Sequence, residues 1–218
     1  PDGILWDVRK DAPEIKALLG VLEAGEVVGH PSLLTAIVRE GDDWFFASMS
    51  EDMQWKTGAA VPEAFPVAGF GNVSYEQMYY PYLTLVAGKD RRGRLSNLSW
   101  STMDGLAWVR LTDENKSFYE EREGVMLTQY DGKLFLIGGI DASNHAQKDI
   151  YRSENKGVTW NLADTLIVLP EDCRARGYAS VLVDEENFLL LFGGKESNGA
   201  NMLEELWRGR INRLGFVE

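Results

Sequence analysis

Apolar residues in this chain come in short runs, each broken by Gly, Asp, Asn or Pro before a helix could complete its turns. The stretch 124–139 shows the pattern best: GVMLTQY and KLFLIGG flank Asp131-Gly132, a dipeptide that accepts the positive φ angles of a tight hairpin. A polar loop over 140–147 (IDASNHAQ) leads to a third strand-like segment over 149–153, and a further turn leads to a fourth beginning at Trp160. The order predicts an antiparallel four-stranded sheet. Similar segments follow from Gly177 (GYASVLV, FLLLFGG, ELWRGRI), over 82–101 (YLTLVAG, NLSWS) and, in a degenerate copy, over 33–48 (LLTAIVREG, WFFAS). Residues 12–22 have some helical spacing, but their place in the repeat predicts a strand.

The period is regular. Glycines opening an apolar run stand at Gly20, Gly71, Gly124 and Gly177, in steps of 51, 53 and 53, and turn tryptophans stand at Trp55, Trp108 and Trp160, in steps of 53 and 52, with Phe216 a further 56 on. Small sheets that are apolar on both faces bury them only against neighbours, and radial stacking around a channel does this. The expected fold class is all-β, a β-propeller of four-stranded antiparallel blades over 10–60, 61–113, 114–165 and 166–218. Asp2-Gly3-Ile4-Leu5-Trp6 matches Asp104-Gly105-Leu106-Ala107-Trp108, so residues 1–9 are expected to be the last strand of a preceding blade. The chain is then the C-terminal part of a six- or seven-bladed ring; a closed four-bladed ring with a frayed start is the alternative.

Two motif families resemble parts of this sequence. The glycine pairs Gly138-Gly139 and Gly193-Gly194, closing an apolar strand and followed downstream by an aromatic, resemble the kelch repeat, with Ala87-Gly88 as a weaker copy. The turn Ser153-Glu154-Asn155-Lys156-Gly157-Val158-Thr159-Trp160 resembles the Asp-box (BNR repeat), with Asn155 where that family has Asp. A partial copy keeps Ser101, Gly105 and Trp108, with Met103 at the Asx place, and 48–55 keeps only its ends, Ser48 and Trp55. Such boxes occur in sialidases and in propellers without activity, so they imply a fold and leave function open. Together with the ending 206–216 (LWRGRINRLGF), the combination is similar to kelch-like propellers of Bacteroides-type bacteria, which implies a periplasmic or cell-surface location.

A net charge of −12 argues against nucleic acid, whose phosphates are held by Lys and Arg clusters. The single Cys173 allows no internal disulfide and no structural zinc set, and no apolar run approaches the length of a membrane helix. No glycine-rich phosphate loop or metal-ligand cluster appears, so no cofactor and no metal are expected.

In a propeller the loops between second and third strands share one face with the blade-to-blade connections. That face is expected to carry Lys89, Asp90, Arg91, Arg92, Asp141, Asn144, His145, Lys195, Glu196 and Asn198, with Tyr119, Arg122, Glu123, Arg174, Arg176 and Tyr178 from the connections. Arg122, Arg174 and Arg176 could clamp a carboxylate at the channel or pair with Glu121 or Glu123. The ligand-binding candidates are therefore Tyr119, Arg122, Arg174, Arg176, Tyr178, Asp141 and His145, with no catalytic residue assigned. A binding or scaffold propeller for a glycan or protein at a cell surface is the favoured reading. A sialidase-like hydrolase, its remaining site residues outside this chain, is the alternative. A copper oxidase needs two histidines on one metal, and His30 and His145 are expected on opposite faces.

Overall fold

The computed structural model describes residues 12–23, 31–112, 119–163, 169–197 and 201–210, and among them it is β-strand without any α-helix. Trp6, His30, Asn198, Phe216 and the strands expected over 6–9 and 215–218 lie outside the described residues. Among the described residues no helix is long and apolar enough to cross a membrane.

The first blade is β1 (Glu14–Leu22), β2 (Leu33–Glu40), β3 (Asp43–Met49) and β4 (Trp55–Ala60), paired antiparallel in that order. Residues 12–22 thus resolve as strand, with bulges between Ile15 and Ala17 and between Leu18 and Gly20 that bury Leu19 while leaving Leu18 outside. The second blade is β5 (Gly71–Gln77), β6 (Tyr80–Lys89), β7 (Leu95–Thr102) and β8 (Val109–Arg110). Two short pieces, β9 (Arg122–Glu123) and β12 (Ile140–Asp141), pair with each other and extend the second blade's sheet from β7, and the third blade is β10 (Met126–Tyr130), β11 (Lys133–Ile137), β13 (Ile150–Ser153) and β14 (Asn161–Leu162). Of the fourth, β15 (Ser180–Val183), β16 (Phe188–Phe192) and β17 (Leu206–Arg210) are described.

Period-two alternation sends neighbouring residues of a strand to opposite faces, and here both faces are buried. Along β11, Phe135 and Ile137 pack toward Leu189 and Leu191 of the fourth blade, while Leu134 and Leu136 pack toward Val86 and Tyr75 of the second. A separate cluster of Leu19, Ile37 and Phe46 with Leu83, Leu85 and Trp100 fills the space between the first two blades. The core is therefore a series of layers between sheets, which is why no blade is stable apart from its neighbours.

Glycine pairs end the second strands in one conformation. Ala87-Gly88, Gly138-Gly139 and Gly193-Gly194 have φ of 59 and 97, 59 and 103, and 70 and 99 degrees. A side chain at Gly138 would press into the Arg176 carbonyl of the next blade, so close approach as well as φ selects glycine there. The structure shifts the glycine ladder by one or two residues. Equivalent positions are Gly69, Gly124 and Tyr178, all left-handed with φ of 63, 64 and 58 degrees, because Gly71 opens its strand two residues past the bend and Gly177 lies one residue before it. Backbone bonds join the three as a staircase, from Gly124 N to Gly69 O at 2.6 Å and from Tyr178 N to Gly124 O at 2.7 Å.

The turns between third and fourth strands are held by side-chain caps. Ser153 Oγ accepts from Gly157 N at 2.8 Å, Asn155 Oδ1 accepts from Thr159 N at 2.8 Å, and Trp160 drops into the layer below. In the second blade the capping hydroxyl is Thr102 rather than Ser101: it accepts from Gly105 N at 2.9 Å, and Asp104 accepts from Leu106 N at 2.8 Å, so that turn is one residue shorter. In the first blade Ser50 and Asp52 do this work, with Ser50 Oγ donating to Asp52 at 2.6 Å, so the motif begins at Ser50 and not Ser48.

Candidate functional site

Arg122 and Arg176 stand at the end of the blade-to-blade connections, and the structure turns both inward. Arg122 donates to both oxygens of Asp149 (2.6 and 3.2 Å), to the Gly138 carbonyl (3.1 Å) and to the Glu120 carbonyl (3.1 Å), while its guanidinium lies between the rings of Tyr119 and Tyr151. Arg176 repeats the arrangement one blade on, bonding Glu205 (2.8 Å) and the carbonyls of Gly193 and Arg174 (3.0 Å each). Each is 2% exposed or less. The expectation that they converge on the channel is thus corrected, as is pairing of Arg122 with Glu121 or Glu123. Most of their donors are used inside their own blades, tying the connection to the glycine pair and to the third strand. In the second blade the corresponding positions are Val67 and Leu98, an apolar pair packed together.

Tyr119 is equally interior. It is buried edge-on against Trp160, with centroids 6.1 Å apart, and burial holds its phenol well above the usual range. Arg174 is half-exposed and bridges Glu196, at 3.2 Å, and Glu205. The bonds from Arg174, Arg176 and the Trp207 indole lower the Glu205 carboxyl from 4.5 to about 2. A carboxyl depressed in the fold contributes stability above its unfolded value and loses it as the pH falls through the folded one. The melting temperature is therefore expected to drop between pH 4.5 and about 2, with a smaller drop in Glu205→Gln; parallel melting curves for the two proteins would contradict this.

What the channel face does assemble is centred on Tyr178. Its left-handed backbone folds the ring over Gly124, where a Cβ would collide with it, and its hydroxyl donates to Glu123. Lys89 Nζ bonds the same carboxylate at 2.6 Å, and Lys195 Nζ lies 4.3 Å from the Tyr178 ring centroid. Burial pushes Glu123 up, but the Lys89 and Tyr178 bonds outweigh it and leave the carboxyl below 4.5. Burial and the bond to Glu123 together raise the Tyr178 phenol, so it stays a protonated donor at neutral pH.

Beside this cluster a cavity of about 860 Å³ opens between the second and third blades, its wall including Lys89, Asp90, Arg94, Asn97, Glu121, Glu123, Asp141 and Asn144. Its two loops are pre-formed. Asp90 accepts from the backbone of Arg92 (2.8 Å) and Arg94 (3.0 Å), and Asp141 accepts from Ser143 and His145 (2.9 Å each) and from the Gln147 amide at 2.8 Å. Asp141 therefore shapes the rim, while the His145 ring projects into solvent with Nδ1 3.9 Å from the Asp141 carboxylate. Arg94, Asn97 and Glu121 were not among the expected ligand residues. The only signal in the sequence for Arg94 is its spacing of four from Asp90, which it grips at 2.7 Å. Among the described residues no group of three or more His, Cys, Asp or Glu could hold a metal ion.

Layered antiparallel sheets stitched blade to blade define a β-propeller. The chain belongs to the DUF6242 beta propeller domain family, whose model matches residues 1–218. No curated protein matches it. Among solved structures, one described as "Structure of YjhT" is similar with a TM-score of 0.59 and 16% identity, over 80% of this chain and 50% of that one. At that identity the likeness is of fold alone, and the chain spans about half the length of that protein.

Proposed function

We propose that this is a ligand-binding propeller, without catalysis of its own, that recognises a glycan on the face carrying Tyr178 and the cavity beside it. The observation that carries the reading is the wall of that cavity: cationic, anionic and amide groups alternate on pre-formed loops. A neutral polyhydroxylated ligand needs donors and acceptors at close spacing, which such a wall supplies. The glycine pairs read as kelch-like and the Ser-x-Asx turns as Asp-box-like, in keeping with a bacterial propeller outside the cytoplasm. A sialidase-like reading is disfavoured because Arg122 and Arg176 are buried and commit most of their donors to their own blades, away from any substrate carboxylate.

Glycan-array screening followed by titration of the best binder tests this. Glu121→Ala, which alters an exposed rim residue, is expected to weaken binding about fivefold, the loss of one hydrogen bond of about 1 kcal/mol. Absence of any glycan binding sinks the proposal, and release of cleaved sugar during the assay replaces it with a hydrolase.

A further inference from the structure

A second cavity, of about 320 Å³, lies on the opposite face, where the turns between third and fourth strands of two adjacent blades meet. Its walls are mostly hydrocarbon and aromatic. Tyr75 and Tyr82 stack nearly parallel, at 14 degrees and 5.7 Å, and Met103, Val109 and Leu111 complete the apolar lining. One cation enters this setting from the third blade. Lys156 Nζ lies 4.7 Å from the Tyr75 centroid, and among the described residues no carboxylate lies within ion-pairing reach of it. The Asp104 carboxylate, also on the wall, is occupied by its own turn, accepting from Thr102, Leu106 and Ala107.

The backbone at this lysine adds an independent observation. Lys156 has φ of +62 degrees, a left-handed position in its own right, since the place of Gly105 in the second blade is taken by the following residue, Gly157, at +94 degrees. Glycine and asparagine take that conformation more easily, so the turn itself does not call for lysine. Its side chain also sits where burial disfavours the ammonium and lowers its pKa. A cation held against an aromatic wall, with no carboxylate beside it among the described residues, is a half-built salt bridge.

We propose that this cavity is a second binding site, for a carboxylate borne on a six-membered ring, with Lys156 as counter-ion and Tyr82 and Tyr75 as the stacking surface. The volume admits a single ring with room to spare and leaves space for the carboxylate at the mouth beside the ammonium. The apolar wall favours an aromatic acid over a sugar acid, and both share the recognised chemistry. The site is separate from the glycan face, and its test does not depend on that reading.

Isothermal titration with benzoate, benzamide and methyl glucuronide distinguishes the cases. Benzoate is expected to saturate with a Kd on the order of 1 mM, as suits so small a ligand. Benzamide, of equal shape but uncharged, is expected to bind at least about fivefold more weakly. Lys156→Gln and Lys156→Asn are expected to abolish the preference for acid over amide while the melting temperature holds, asparagine being suited to the left-handed turn. Tighter binding of methyl glucuronide than of benzoate would support the site and assign it to sugar acids. Equal affinity for benzoate and benzamide, unchanged benzoate affinity in either lysine variant, or failure of both acids to saturate would overturn the proposal.

Discussion

Arg122→Ala is expected to destabilise the protein by about 3–5 kcal/mol, and the double variant Arg122→Val with Asp149→Leu to recover at least about half of that loss. The asymmetry follows from what each change leaves behind. Removing the guanidinium alone strands the Asp149 carboxylate together with the carbonyls of Gly138 and Glu120, and opens a hole between the rings of Tyr119 and Tyr151. Replacing both partners removes the uncompensated charge and refills the space with hydrocarbon. The second blade already contains that solution, since Val67 and Leu98 occupy the matching places and pack into its core. Chemical denaturation of the wild type, the single and the double variant measures the difference. A double variant no more stable than Arg122→Ala would show that the guanidinium's bonds to the backbone, rather than the ion pair, fix the connection.

The repeat was legible because its signals are local. Strand alternation, Asp131-Gly132 at the hairpin and the glycine pairs at strand ends act within a few residues, and among the described residues each of the repeat segments quoted from the sequence contains a strand. Single-residue registers were less legible, for reasons visible in the structure. Gly71 and Gly177 are glycines chosen for close packing, against Leu127 and Ile140, and not for the left-handed bend, which falls to Gly69 and Tyr178. Thr102 and Ser50 were overlooked as turn caps because hydroxyls next door, Ser101 and Ser48, gave better spacing to the tryptophans. The site was half legible. Topology placed Lys89, Glu123, Tyr178 and Lys195 on one face, and the structure joins them. That Arg122 points into its own blade could not be read, since its partner Asp149 is 27 residues away and looks like any loop acid.

Trp160→Ala is expected to cost about 3–5 kcal/mol, the upper range for losing a buried aromatic, and to lower the melting temperature by roughly 10 °C. Trp160 is 0% exposed and belongs by sequence to the third blade, yet it packs among Tyr75, Val86 and Ala87 of the second as well as Leu134 and Leu136 of its own. Its indole also donates to Ser99 Oγ in the second blade at 3.0 Å. Truncation therefore opens a cavity between two sheets that cannot collapse without shifting a blade. Trp160→Phe separates the two contributions, because it keeps most of the ring volume and strands only the Ser99 hydroxyl; it is expected to cost about 1–2 kcal/mol. Trp108 fills the same role between the first and second blades, against Phe46 and Phe65, but its indole nitrogen has no hydrogen-bond partner among the described residues. Trp108→Phe is accordingly the milder of the two phenylalanine replacements. If both replacements cost the same, the bond to Ser99 contributes nothing, and the layers are held by packing alone.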